Sequence, residues 1–329
     1  MNLVVQRPGL LTTVQDLGRW GHQGAGVPVA GPMDAWSHRL ANLLVGNPAE
    51  CAVLEATVTG PQFECEGDTL LAITGGPFAI TVGEQHVRSP LVARAPAGTA
   101  LQFGECLAGA RAYVAVAGGF DVPLVLGSRA TDLRAGFGGY AGRALHAGDR
   151  LAIGSHQAPT GTVHDDTPQH ARPSAVVDVR ELPDASHAPA RTAVTRLRVM
   201  RGPTEGAAAD RAFTELLAGL FRISARSDRM GYWLEAGAVT PGATASMITG
   251  PTTMGLVQVP PSGEPILLMA DRQTTGGYAA VAVVIAADLP VAGQLPPGAT
   301  VTFEACTPDD ARRVLLERET QLNSIARPW

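Results

Sequence analysis

The stretches GRALHAGDRLAI, Gly142 to Ile153, and GQLPPGATVTF, Gly293 to Phe303, share one layout: Gly, then Leu, then a second Gly that feeds a short alternating apolar run. Such a step reads as a tight turn delivering a β-strand, because glycine accepts the backbone angles that close the turn. The same step stands at Gly67-Asp68 before Leu70 to Thr74, at Gly98-Thr99 before Leu101 to Phe103, and at Gly242-Ala243 before Ser246 to Thr249. Two similar closing units read as a weak internal duplication, and the repeated step predicts a mostly β chain.

Composition agrees. With 38 Gly and 25 Pro in 329 residues, the chain is too heavily punctuated for a helical bundle. It is 45% hydrophobic and 17% charged, with 25 Lys plus Arg against 30 Asp plus Glu, which is globular and argues against a nucleic-acid partner. Arg7-Pro8-Gly9 interrupts any secretory signal, and no apolar run is long enough to cross a membrane, so a cytoplasmic protein is expected. Cys51, Cys65, Cys106 and Cys306 have no metal-ligand spacing and read as free thiols.

The Pro-, His- and Asp-rich span 156–192 reads as a linker with one short edge strand near Val176 to Val179, between a first half, 1–155, and a second half, 193–329. His156, His164, His170 and His187 lie in this linker without a compact ligand set, so no metal is expected. Three helices are predicted. One follows Asp34 with Trp36, Leu40, Leu43 and Leu44 on one face and stops at Gly46-Asn47-Pro48; one is capped by Thr204 and presents Phe213, Leu216, Leu217 and Leu220; one starts at Thr307-Pro308 and presents Leu315, Leu316 and Leu322. Tyr113 to Ala117, Val257 to Val259 and Ile266 to Met269 read as strands, whereas Ala279 to Ala287 suits either helix or strand.

Four polar clusters carry the chemistry. Thr12 to Trp20 offers Asp16 and Arg19, which suit either a plain turn or the grip on a polar ligand; Gly127 to Asp132 offers Ser128 and Arg129, a donor fork for a carboxylate or phosphate. Ser227 to Trp233 offers Arg229 beside Asp228, as a surface pair or as a pocket group. The densest cluster is Asp271 to Tyr278, delivered by the apolar run Ile266 to Met269: Asp271 as base or orienting group, Arg272, Gln273 for an amide, and Thr274 and Thr275 as hydroxyl contacts. No serine nucleophile elbow, zinc-protease motif, dinucleotide fingerprint or Gly-Lys-Ser/Thr phosphate loop is present.

Taken together, Thr13 to Arg19, Gly31-Pro32-Met33-Asp34, Asn42 to Asn47, Leu54-Glu55, Ala117-Gly118-Gly119, Gly127-Ser128-Arg129, Asp228 to Tyr232 and Asp271 to Tyr278 closely resemble one family. This is the C-type, or KipA-like, family of subunits of bacterial ATP-dependent 5-oxoprolinase, also known as allophanate hydrolase subunit 2 or the biotin-dependent carboxyltransferase family. The resemblance runs over about residues 3 to 305. It implies two cyclophilin-like β-barrel domains with a few short covering helices. It also implies a KipI-like B-type partner and a further A-type partner, which together with this chain open 5-oxoproline to glutamate. ATP would be used on another subunit, with no cofactor bound by this chain. The implied alternatives are transfer of a carboxyl group from carboxybiotin to urea or a related amide, and a non-catalytic KipA-like antagonist that binds a KipI-like inhibitor.

On that basis Asp271 and Arg272 are the expected catalytic residues, and Asp16, Arg19, Ser128, Arg129, Arg229, Gln273, Thr274, Thr275 and Tyr278 the expected substrate-binding residues. Two departures affect substrate choice. Thr249-Gly250-Pro251-Thr252 replaces a Ser-Glu-Gly-like segment before the stretch Gly255 to Gln258, and Trp233 stands where an Arg is usual.

Overall fold

The computed structural model describes residues 1–154, 177–182, 185–241 and 249–325. His156, His164 and His170 lie outside the described residues, as does most of the strand expected at Ser246 to Thr249.

In chain order the first half contains β1 (Asn2–Arg7), β2 (Leu11–Gln15), α1 (Ala35–Leu44), β3 (Val53–Thr57), β4 (Gln62–Cys65), β5 (Thr69–Gly75), β6 (Phe78–Val82), β7 (Gln85–Arg88), β8 (Leu91–Ala95), β9 (Ala100–Cys106), β10 (Arg111–Val116) and β11 (Arg150–Ala152). The strand β12 (Asp178–Glu181) follows within the span read as a linker. Two antiparallel six-stranded sheets result, ordered β11-β1-β4-β9-β6-β7 and β12-β8-β5-β10-β3-β2. Strand alternation turns Leu3, Val5, Phe63, Ile80 and Leu101 of one sheet toward Leu54, Leu71, Ile73, Val114 and Val116 of the other, which forms the first core. The second sheet is buried on its other face too, where Val53, Ala72, Val92, Tyr113 and Ala115 lie under Trp36, Leu40 and Leu44 of α1. Asp34 starts α1 by accepting a hydrogen bond from Ser37 N at 2.9 Å.

The second half contains β13 (Val194–Arg201), α2 (Ala207–Ala218), β14 (Phe221–Ile223), β15 (Gly231–Glu235), β16 (Gly250–Pro251), β17 (Leu256–Val259), β18 (Ile266–Leu268), β19 (Thr275–Gly276), β20 (Ala279–Val284), α3 (Leu289–Gly293), β21 (Thr300–Ala305) and α4 (Pro308–Ile325). Seven of these strands close a barrel in the order β13-β20-β17-β18-β15-β14-β21. Its seam is a parallel pairing of β13 with β21, from Val194 opposite Thr300 to Val199 opposite Ala305. Leu197, Val199, Phe221, Val257, Leu267, Val281, Val301 and Phe303 belong to its core, together with Ala212 and Leu216 of α2.

The expectation of two barrels is therefore corrected: one closed barrel stands beside two open sheets. Closure requires the two edges of a sheet to hydrogen-bond to each other. Among the described residues the edges β11, β7, β12 and β2 of the first half do not pair with one another, and the sheets bury their inner faces against each other instead. The predicted turn-to-strand steps at Gly67, Gly98, Gly148 and Gly298 do lead into β5, β9, β11 and β21. Such local steps leave edge pairing undetermined.

Two helix expectations also change. Thr204 does not cap α2, which begins after Gly206; its hydroxyl accepts from Ala280 N at 2.9 Å. In α4, capped by Thr307 Oγ1 on Asp310 N, Leu322 is buried, whereas Leu315 and Leu316 are exposed. The helix α4 is tied to α1 by a two-pronged Arg39–Glu319 pair at 2.6 and 2.8 Å. The ambiguous run Ala279 to Ala287 forms β20 through Val284 and then, after Ile285, a 3-10 turn, with Val281, Val283 and Val284 in the strand. Among the described residues no helix is long and apolar enough to cross a membrane.

Candidate functional site

The sandwich and the barrel meet across a buried polar network centred on Arg229. Strand β18 ends at Leu268, and the chain turns so that Asp271 N donates to Arg229 O at 2.8 Å, which sets the two residues side by side. Arg229 Nε and Nη2 then grip Asp271 in a bidentate pair at 2.8 and 2.9 Å. Its Nη2 also donates to Gly31 O at 2.6 Å, and its Nη1 donates to Glu55. All three nitrogens are used. Glu55, a buried carboxylate on β3, further accepts from Met33 N and Tyr113 Oη, each at 2.8 Å. Asp34 N donates to that same Tyr113 hydroxyl at 2.8 Å, and Gln294 of the barrel reaches Asp34 Oδ2 at 2.8 Å. His187 also lies 3.0 Å from Asp34, edge-on to Trp36. Of the four linker histidines, His187 alone falls among the described residues, and there it packs against a carboxylate.

The second cluster is built around Asp16. One of its oxygens accepts from Gly18 N at 3.0 Å and Ser128 Oγ at 2.6 Å, and the other accepts from Arg129 N at 2.5 Å. Arg19 is fully buried; its Nε donates to Val125 O and its Nη2 to Ala130 O, both at 2.8 Å, and its guanidinium lies 4.7 Å from the centre of the Phe137 ring. Arg129 Nε donates to Val122 O at 2.9 Å. These residues are brought together chiefly by contacts among themselves and with loop backbone.

Gly31 joins the two clusters. Its φ of +88° suits glycine, and a Cβ there would stand 3.2 Å from Asp16 O and from the backbone of Gly18, while its own carbonyl serves Arg229. The loop at Asp132 makes a second link, because Arg134 reaches Met230 Sδ at 3.5 Å beside Arg229. Sequence reasoning passed over Asp132 as a site residue. Its Oδ1 accepts from Arg134 N and Ala135 N at 3.0 Å, whereas its buried Oδ2 has no partner among the described residues.

Arg272 differs from Arg229. It is only 7% exposed, yet its Nη1 has just two long contacts, 3.4 Å each, to Met269 O and Ala270 O, and its Nε has no partner. Among the described residues no carboxylate lies within ion-pair distance of it. The next residues form a ribbon, in which β19 pairs with β16, Thr274 O accepts from Thr252 N at 3.0 Å, and Gln273 O accepts from the Thr252 hydroxyl. Gln273 and Thr274 are half-buried; Thr275 and Tyr278 are exposed and stand apart from the buried network. Under the ribbon sits Gln258, 2% exposed, with its Oε1 unpartnered and its Nε2 2.7 Å from where a Cβ of Gly276 would be. Gln258 and Glu55 were legible only as polar residues within otherwise apolar strands, Leu256–Val259 and Val53–Thr57. The departure Trp233 lies on the barrel exterior, stacked under Arg226 at 4.1 Å.

Electrostatics follow the packing. Burial pushes the Asp271 carboxyl up from its ordinary value; Arg229 opposes this, and the nearby charges of Glu55 and Asp132 add to it. Burial lowers the pKa of Arg272, with Asp271 pulling the other way. Burial also opposes the charge on Arg229, but Asp271 and Glu55 outweigh it and hold the guanidinium protonated. The geometry therefore supplies a firmly held, desolvated carboxylate next to a buried cation whose hydrogen-bonding capacity is largely unspent.

Comparison with known proteins places this geometry. A family model described as carboxyltransferase domain, subdomain A and B, matches residues 25–305. The 5-oxoprolinase C subunit of Escherichia coli (strain K12) is 34% identical over 325 residues, covering 98% of this chain and 97% of that protein. The crystal structure of TTHA0988 is 35% identical with a TM-score of 0.77, covering 92% of this chain, which spans 56% of that longer one. The crystal structure of the Kluyveromyces lactis urea carboxylase is 28% identical with a TM-score of 0.81; 98% of this chain is covered, against 29% of that protein. With the match running through the Arg229–Asp271 network and most of both halves, the chain belongs to the carboxyltransferase domain, subdomain A and B, family.

Proposed function

We propose that this chain is the C-type component of an ATP-dependent 5-oxoprolinase, working with a KipI-like B-type component and an A-type component to open the lactam to glutamate. The observation that carries the reading is the Asp271–Arg272 corner: a carboxylate fixed by Arg229 beside a buried guanidinium without an ion-pair partner. Arg272 suits the carboxylate of 5-oxoproline, and Gln273 suits its lactam amide. Asp271 acts as the base that takes the proton of the attacking water, its basicity strengthened by burial. Arg229, with no free nitrogen, positions Asp271 and leaves ligand binding to its neighbour. ATP activates the lactam elsewhere in the complex, in keeping with the missing Gly-Lys-Ser/Thr phosphate loop. Asp16, Ser128, Arg129 and Arg19 brace the rim of the site.

Carboxyl transfer to urea or a related amide is the second reading. It is favoured by the likeness to the Kluyveromyces lactis urea carboxylase. When bound, carboxybiotin would supply the carboxyl group, and Arg272 would meet that group in place of a substrate carboxylate.

The test is glutamate formation from 5-oxoproline and ATP by this chain mixed with its B-type and A-type partners, each omitted in turn. Turnover should require all three. Full turnover without this chain overturns the assignment, and carboxyl transfer to urea with no glutamate formed selects the second reading.

A further inference from the structure

Asp132 uses one carboxyl oxygen to hold its own turn and keeps the other idle inside the protein. Its N–H donates to Phe137 O at 2.9 Å, its carbonyl accepts from Gly136 N at 2.9 Å, and its Oδ1 accepts from Arg134 N and Ala135 N at 3.0 Å each. These contacts lock the side chain, so Oδ2 has a fixed direction. The residue is 3% exposed, and this buried Oδ2 has no partner among the described residues. The turn itself does not require it. Asparagine would make the same two contacts through its own Oδ1 without burying a charge. A buried carboxylate oxygen without a donor lowers stability, so its presence where a neutral side chain would suffice points to a ligand that supplies the donor.

The contacts around Asp132 lead to the second idle group, Arg272. Arg134, two residues on, reaches Met230 Sδ at 3.5 Å. Met230 O accepts from Met269 N at 2.9 Å, and Met269 O accepts from Arg272 N at 3.3 Å and from its Nη1 at 3.4 Å. The Asp132 loop of the sandwich and the Arg272 corner of the barrel therefore close on one short segment, Arg229-Met230. Asp271 feels both: burial raises its pKa and the charge of Asp132 adds to this, while burial lowers the pKa of Arg272 and Asp271 opposes it. Asp132 and Arg272 still do not pair with each other, since Oδ2 lacks a donor and the Arg272 Nε lacks an acceptor. Opposite charges buried beside one segment and kept apart have the character of two ends of a ligand site. Asp271 fills neither end, because Arg229 grips both of its oxygens.

We propose that Asp132 is a ligand-binding residue whose Oδ2 accepts the N–H of a small amide while the anionic group of that amide rests on Arg272. This rests on the function proposed above and assigns the N–H of its substrate. In 5-oxoproline the ring nitrogen and the carboxylate are attached to the same carbon, so the ligand offers a donor and an anion side by side; its lactam carbonyl is left to Gln273. A lactone of the same shape has a ring oxygen in place of the N–H, and its lone pairs would face Oδ2 without a hydrogen between them. The site thus selects amides against esters.

The experiment compares two ligands on the assembled complex, for wild type and for Asp132→Asn. It measures KM for 5-oxoproline, the competitive inhibition constant of the γ-lactone of 2-hydroxyglutarate, and the melting temperature. Asn keeps an oxygen for Arg134 N and Ala135 N and places an NH2 where Oδ2 stood. Wild type should bind the lactone about 30-fold or more weakly than its KM for 5-oxoproline. In Asp132→Asn that KM should rise about tenfold or more while the lactone binds at least as well as before, so that the preference shrinks to about threefold or inverts, with Tm unchanged. Equal weakening of both ligands in the variant makes Asp132 a residue of its turn alone and overturns the proposal, as does a wild-type KM in the variant. Lactone binding by wild type as tight as its KM for 5-oxoproline overturns the proposal without any variant and leaves the functional reading standing. Absence of 5-oxoproline turnover by the wild-type complex overturns the functional reading, and this assignment with it.

Discussion

Arg229 and Arg272 are both buried, the first bound to the Asp271 carboxylate and the second next to Asp271 in the chain, but their environments are opposite. Arg229 spends every nitrogen on Asp271, Glu55 and Gly31 O and thereby ties barrel to sandwich, whereas Arg272 rests on two 3.4 Å carbonyl contacts. A buried charge that is fully paired belongs to the architecture, since removing it strands its partners. One that is poorly paired is tolerated at a cost that only a ligand offsets. The difference separates structure from function within two adjacent elements.

The comparison breaks first at Asp271. In the reconstituted complex, Asp271→Asn should lower kcat by about 100-fold or more, because a general base is lost. Steady-state kinetics check this. Arg272→Met should reduce kcat/KM by about 30-fold or more while changing folding stability by less than about 1 kcal/mol, since no native ion pair is broken; turnover and urea denaturation together test the split. Arg229→Met should do the reverse in denaturation, costing about 3–5 kcal/mol through the stranded Glu55 and Asp271 charges. Equal stability losses in the two arginine variants would erase the distinction.

Two smaller effects depend on pH. Because the pKa of Asp271 is raised, kcat/KM should fall on the acid side through an apparent pKa above the usual carboxylate range, and Asp271→Asn should remove that limb. His38, buried between α1 and β2 with its Nε2 3.2 Å from Gln15 O, is pushed by burial from 6.5 down to about 4. The unfolded chain therefore binds a proton more readily, so this contribution is complete above pH 6.5 and is lost as pH falls toward 4. Between pH 7 and 5 the loss should be about 2 kcal/mol. Denaturation of His38→Gln across that range should show a flatter curve.

How far sequence reached follows the range of the forces involved. The helix α1 was legible because its cap Asp34 and its face Trp36, Leu40 and Leu44 act within a few residues. Turns such as Gly148-Asp149 before β11 were legible for the same reason. Barrel closure was not, since it depends on Val194 to Val199 finding Thr300 to Ala305, a non-local parallel pairing that leaves no local trace. The edges of the first half resemble those of the second in turn chemistry and still do not join. In the site, Asp271 and Arg272 stood out as a polar cluster after an apolar strand, but adjacency could not tell which arginine would be consumed: that was decided by Glu55 and Gly31, far away in the chain. Tyr278 belonged to the same cluster by sequence and yet is exposed, in the link between β19, which pairs with β16, and β20.

The most direct measurement is a paired assay of Arg272→Lys, with ATP-dependent glutamate formation by the assembled complex and thermal unfolding of the same preparation. A site built for a carboxylate at this guanidinium predicts a KM for 5-oxoproline raised about tenfold or more with an unchanged melting temperature, since lysine keeps the charge but loses the planar fork. Wild-type kinetics in that variant would contradict the account.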